Sequence, residues 1–198
     1  NWRNPAVQQA MFDVVRFWLD RGVDGFRIDA IQCLIKDDQL RDNPGQLHVI
    51  PYYRQRHVHD LDRPEVHEIL RGFRTLFDGY DGERASVGET FLWDPARVAQ
   101  YYGNGRDELH LAFNFRLLFC PWWAGAFRKV VDRFDGLLPP GAWPAWTLSN
   151  HDQTRHVTRY GRTGRANQRA RLAAMMLLTL RGTPFLYYGE EIGQRSHR

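Results

Sequence analysis

The sequence predicts an α/β fold of parallel β/α units, on three observations. Segments of helical and of strand periodicity alternate along the chain. The strand segments are short and are separated by helical segments long enough to serve as crossovers, which parallel pairing requires. Acidic residues close three of the strands. Alternation alone leaves open whether the sheet closes into a barrel, because barrels and open sheets both place functional residues at the carboxyl ends of strands.

Asn4 followed by Pro5 reads as an N-cap with proline at the first helical position. Val7, Met11, Val14, Val15 and Trp18 then fall on one helical face, and Gly22 supplies the stop. A strand follows through Gly25 to Asp29. Residues 36 to 63 form a long polar stretch, of the kind that is functional or disordered in compact domains. Asp62-Arg63-Pro64-Glu65 resembles a capping box, and Val66, Ile69, Leu70, Phe73, Leu76 and Phe77 make the buried stripe of the next helix, ended by Gly79. Next come a strand from Ala85 to Glu89, a helix from about Pro95 to Tyr102, and a strand from Leu109 to Phe113. A helix over 124–137, a strand from Ala145 to Leu148, an apolar helix over about 166–180 and a strand from Pro184 to Tyr188 complete the pattern.

The chain has 198 residues, 43% of them hydrophobic and 25% charged, the composition of an ordinary globular domain rather than a disordered tail. No apolar run approaches the roughly 18 residues of a membrane span, so no membrane partner is expected. The start, Asn1-Trp2-Arg3-Asn4-Pro5, has neither an initiator Met nor a signal-peptide layout, as expected of an internal piece of a longer chain. Net charge is +4, and of 27 basic residues only Lys36 and Lys129 are lysines. The arginines are scattered among 23 acidic residues, and the densest stretch (Arg155 to Arg171) runs into an apolar helix. A nucleic-acid binder would gather them on one face, so no nucleic-acid partner is expected. Cys33 and Cys120 stand alone, without metal-ligand spacing; they favour a reducing, cytoplasmic compartment.

The candidate chemistry lies in three contexts: Gly25-Phe26-Arg27-Ile28-Asp29-Ala30, Val87-Gly88-Glu89-Thr90, and Ser149-Asn150-His151-Asp152. Carboxylates converging at one rim suit retaining glycoside hydrolysis, in which one attacks the anomeric carbon and a protonated one donates to the leaving oxygen. Arg27 lies two residues before Asp29, hence on the same strand face, where it would keep Asp29 ionised. Glu89 has no charged sequence neighbour, which fits a proton donor. The plainer readings stay beside these. A strand-end carboxylate is commonly a cap or turn residue, Asn150-His151-Asp152 would also serve as a helix cap, and His151 as a packed histidine. Trp93, Trp122, Trp123, Trp143 and Trp146 offer either sugar-stacking faces or core packing. No zinc spacing, G-x-S-x-G elbow, P-loop or G-x-G-x-x-G occurs, so neither a metal nor a cofactor is expected; His48, His57 and His59 read as a polar loop.

Taken together, the three contexts resemble the α-amylase family of glycoside hydrolases, a (β/α)8-barrel family, in motifs, order and spacing across nearly the whole chain. GFRIDA resembles the family's fourth-strand motif, GET the fifth, SNHD the seventh, and LRGTPFLYYGEEIG the eighth strand and its loop. The resemblance implies a partial TIM barrel, approximately strands 4 to 8 with their helices, in one partial catalytic domain over residues 1–198. The first three β/α units and any C-terminal β domain would then lie outside the chain, in keeping with the roughly 250 residues of a complete barrel. It implies Asp29 as nucleophile, Glu89 as acid/base, Asp152 as the carboxylate stabilising the transition state, and Arg27, His151 and Arg155 as substrate-binding residues. LIKDDQLRDNP, VGETF and LAFNF are similar to the α-glucosidase and oligo-glucosidase branch, and Ala30 to members favouring α-1,4 bonds. Cys33 stands where many α-amylases carry a histidine, which argues against a true α-amylase. The implied substrate is an oligosaccharide or disaccharide, with a transglycosylase or isomerase, or a non-catalytic interaction subunit, as alternatives. Oligomeric state is not implied. Gln194-Arg195-Ser196-His197-Arg198 departs from the family's continuation, and a truncation or frame change is the expectation there.

Overall fold

A computed structural model describes residues 1–161 and 164–196; Arg162 and Thr163 of the arginine-dense stretch, and His197-Arg198 of the divergent end, lie outside the described residues. Five strands form one sheet: β1 (Gly25–Ile28), β2 (Ala85–Gly88), β3 (Leu111–Asn114), β4 (Ala145–Thr147) and β5 (Thr183–Phe185). Six α-helices accompany them: α1 (Pro5–Leu19), α2 (Val66–Asp78), α3 (Pro95–Gln100), α4 (Ala124–Asp135), α5 (His156–Gly161) and α6 (Ala166–Thr179).

The sheet order is β1-β2-β3-β4-β5, parallel throughout. Every crossover therefore advances one strand in the same direction. Right-handed crossovers then put all the helices on one face. A doubly wound sheet would reverse its strand order at a switch point. The question left by alternation is settled by this order: the sheet is an arc of a β/α barrel with its helices outside.

Caps and packing explain the elements. The Asn4 side chain accepts the Ala6 N–H at 3.0 Å, as a helix cap. Between sheet and helices lies a core containing Phe77, Tyr101, Tyr102, Phe134 and Trp146. Trp146 donates its indole N–H to the Arg181 carbonyl (2.8 Å) and packs on Gly182, where a β-carbon would lie 2.6 Å from the ring. On α1 only part of the apolar stripe is used: Phe12 and Val15 meet the core, while Met11, Val14, Phe17 and Trp18 are exposed. Among the described residues nothing pairs with the outer edge of β1.

Several expectations shift. Asp62 does not cap α2; Glu65 occupies the cap position without a side-chain bond. With a left-handed φ of 52°, Asp62 instead accepts from Arg97 and from the Tyr101 hydroxyl (2.7 Å), tying the loop to α3. The third strand begins at Leu111 because Leu109 spends its N–H on the Tyr101 carbonyl (3.0 Å). The last strand leaves the sheet after Phe185. Helix α5 was hidden by its polar lead-in. The long stretch over 36–63 is ordered: the Asp37 N–H donates to the His59 carbonyl (2.7 Å), Asn43 accepts from the N–H groups of Val58 and His59, and His57 bonds Asp60 (3.0 Å). Both cysteines are free, and among the described residues no helix is long and apolar enough to cross a membrane.

One half-buried histidine should make the fold sensitive to acid. The Ser86 N–H donates to His110 Nδ1 (3.1 Å), and burial holds the imidazole below its ordinary value of 6.5. The unfolded chain takes up this proton more readily than the folded one, so stability is fully present above the ordinary value and is lost as pH falls through the lowered one. Denaturation midpoints measured from about pH 7.5 to 5 should decline, and His110→Asn, which keeps an acceptor but does not titrate, should flatten the decline.

Candidate active site

The register of β1 on β2 builds the site. Ile28 pairs with Gly88, so Asp29 and Glu89, each one step beyond its strand, emerge side by side. The backbone continues the lock: the Glu89 N–H donates to the Ile28 carbonyl (2.9 Å), and the Ile31 N–H donates to the Glu89 carbonyl (3.2 Å). Ala30, at a φ of 42°, turns the chain so that its N–H reaches the Glu89 carboxylate (3.2 Å). Left-handed backbone is disfavoured for a residue with a β-carbon and is held here by the bonds on either side. Thr90, buried, donates its hydroxyl to the Phe113 carbonyl on β3 (2.8 Å).

Arg27 bridges the two carboxylates. One guanidinium nitrogen donates to Asp29 (2.5 Å) and the other to Glu89 (2.8 Å). The sequence pairs Arg27 with Asp29 alone and leaves Glu89 without a charged neighbour; the strand register supplies the second contact. The two acids are nevertheless shifted in opposite directions. Hydrogen bonding with Glu89, then the charge of Arg27, holds Asp29 below its ordinary value. Burial, then the hydrogen bond with Asp29, pushes Glu89 above its own. Exposure agrees: the Asp29 side chain is 74% accessible and that of Glu89 13%. The two neighbouring acids are thus shifted apart, Glu89 being the weaker acid, which is the arrangement that lets such groups take different roles.

His151 joins this group from the loop after β4. It lines one open cleft with Arg27, Glu89, Phe113, Phe115 and Tyr187, and its charge contributes to lowering Asp29. Asn150 shapes the turn by accepting the N–H groups of Asp152 (3.2 Å) and Gln153 (2.9 Å), an Asx turn. Asp152 stands at the lip, exposed, 3.5 Å from His151 Nε2. Arg155 is placed differently. It is buried, donates to the Tyr188 carbonyl (2.5 Å), and lies over the rings of Tyr187 (4.4 Å) and Tyr188 (4.8 Å), so its guanidinium serves the loop after β5.

Of the two roles open to the tryptophans, core packing holds for Trp146 and Trp122. Trp146 is core, Trp122 packs on Tyr160, and Trp123 borders an outer groove between α4 and α6. Trp93 stands at the rim, donating to the Tyr53 hydroxyl (2.9 Å). The cleft walls are Phe113, Phe115, Phe185 and Tyr187. Alternation along β3 was the available signal: buried Ala112 and Asn114 face the helices, which turns Phe113 inward.

Carboxyl titration tests the bridge. In isotope-edited NMR, Asp29 should titrate below 3.8 and Glu89 above 4.5. Arg27→Gln should raise both, because the cation favours both ionised forms.

Comparison with known proteins shows the family. Residues 1–198 match the family described as Alpha amylase, catalytic domain. The chain is 40% identical to a probable alpha-glucosidase of Rhizobium meliloti, over 97% of this chain and 37% of that protein. It is 33% identical to an oligo-1,6-glucosidase of Parageobacillus thermoglucosidasius, over 100% of this chain and 37% of that protein. The crystal structure of an alpha-glucosyl transfer enzyme, XgtA, superposes with a TM-score of 0.90 at 40% identity, covering 100% of this chain and 38% of that one. The chain thus spans under two fifths of the length of each. In motif order, strand arrangement and clustered carboxylates alike, this chain belongs to the α-amylase family of glycoside hydrolases, as part of its barrel catalytic domain.

Proposed function

We propose that the chain is part of the catalytic barrel of a retaining α-glucosidase that releases terminal α-linked glucose, with α-1,4 bonds favoured, from short oligosaccharides. The observation that carries this reading is the meeting of Asp29 and Glu89 on one arginine at the strand ends, Asp29 open to solvent and Glu89 largely buried. Ionised Asp29 attacks the anomeric carbon while Glu89 gives its proton to the leaving glycosidic oxygen. Glu89, now a carboxylate, then takes a proton from the water that displaces Asp29 and restores both groups. His151 and Asp152 face the sugar hydroxyls, Arg27 orients the carboxylate pair, and Arg155 supports the Tyr187–Tyr188 wall. The first three β/α units of the barrel belong to the remainder of the protein, and the two free cysteines suit a reducing, cytoplasmic setting. Glucosyl transfer is the second reading, favoured by the similarity to the transfer enzyme; the same covalent intermediate would pass to a sugar hydroxyl instead of water.

In the complete barrel, Asp29→Asn and Glu89→Gln should each cost several orders of magnitude in kcat, and a variant keeping more than about a tenth of the rate would overturn the assignment. A fluorinated glucosyl fluoride should leave an adduct on Asp29, read by mass spectrometry. Products from maltose, sucrose and isomaltose separate hydrolysis from transfer. Residues 1–198 alone should show no glucosidase activity, since both edge strands would stay unpaired; a monomeric active preparation would refute that.

A further inference from the structure

Behind the cleft, three buried polar side chains join two loops, and the chemistry above uses none of them. Ser149 (2% exposed) directly precedes Asn150-His151-Asp152, His156 (3%) opens α5, and Glu190 (8%) lies in the loop after β5. The Ser149 hydroxyl accepts the His156 backbone N–H (2.9 Å) and lies 3.1 Å from His156 Nδ1. The same Nδ1 stands 2.9 Å from one Glu190 oxygen; a carboxylate oxygen accepts, so the ring N–H donates to it. The other Glu190 oxygen accepts the Tyr187 N–H (3.1 Å), and the Glu190 N–H returns to the Tyr187 carbonyl (3.0 Å).

The chain of bonds thus runs from the base of the turn bearing His151 and Asp152 to the backbone of Tyr187, a wall of the cleft. Burying an acid and an imidazole is costly unless both are bonded, whereas apolar side chains would fill the same space without that cost. What the polar chain adds is direction. Each bond has one geometry, and together they hold one loop at a set distance from the other.

We propose that Glu190, His156 and Ser149 are positioning residues, which fix the His151–Asp152 turn against the Tyr187 wall and thereby tune transition-state stabilisation without touching substrate. The proposal rests on reading Asp152 as the group that stabilises the transition state.

The test uses the complete enzyme. Glu190→Gln, close to isosteric, and His156→Leu should each lower kcat about tenfold with KM changed less than about threefold. His156→Asn, whose amide nitrogen takes the place of Nδ1, should restore kcat to within about threefold of the parent. Glu190→Gln added to Asp152→Asn should cost less than about twofold more, because both act through one group. Thermal midpoints, measured alongside, correct each rate for the folded fraction. Corrected rates unchanged in Glu190→Gln and His156→Leu, no rescue by His156→Asn, or an effect that multiplies in the Asp152→Asn background would overturn the proposal. Full activity in Asp152→Asn alone would instead remove the site reading, and the proposal with it.

Discussion

The pairing of Ile28 with Gly88 is the constraint on which the rest depends. A parallel ladder has a side-chain period of two, so a slip of one residue would turn Arg27 from the lumen to the helix face and part the two acids. Held in this register, one guanidinium meets both carboxylates, and the difference between them comes from the hydrogen bond they share and from the deeper burial of Glu89. Asp29 stands in water beside a cation and keeps its charge. Glu89 is set deeper, under the Ala30 turn, and gives up its proton less readily than an ordinary glutamate. Two carboxyl groups of similar intrinsic acidity are thereby shifted in opposite directions by their surroundings.

The register is guarded from outside the site. Buried Glu108, just before β3, accepts from His67 (2.7 Å) and Arg71 (2.8 Å) on α2, tying that helix to the third strand. Asp62 ties the start of α2 to α3 through Arg97 and Tyr101. Arginine suits such contacts because its planar fork meets carboxylates with more than one N–H. The high arginine count is thus partly an architectural choice: Arg3, Arg27, Arg71, Arg97 and Arg181 each reach a carboxylate distant in sequence. The gain from the exposed pairs is small, and the buried acceptors carry more, since leaving one without a donor costs about 1–3 kcal/mol.

Periodicity sufficed to read the strands and long helices because each has a burial pattern of its own. It misplaced β3 and β5 by a few residues where apolar side chains, Leu109 and Tyr188, lie outside the ladder. It missed α5, whose buried His156, Val157 and Tyr160 follow a run of polar turn residues. Asp29 and Glu89 were legible because each closes a strand in a distinctive context, whereas Asp152 lies five residues past the end of β4. The second contact of Arg27, the bond of Arg155 to Tyr188 and that of Glu190 with His156 were not, since each joins residues more than thirty positions apart.

By itself, then, the sequence determined the β/α alternation, the strand-end positions of Asp29 and Glu89, and the family, because these depend on local pattern and short motifs. Only the tertiary structure decided which acid is the more buried and the weaker, which aromatic rings wall the cleft and where Arg155 spends its charge. Those outcomes depend on burial and on partners brought in by neighbouring strands. A linear pattern records which face a side chain takes, but not what it meets there.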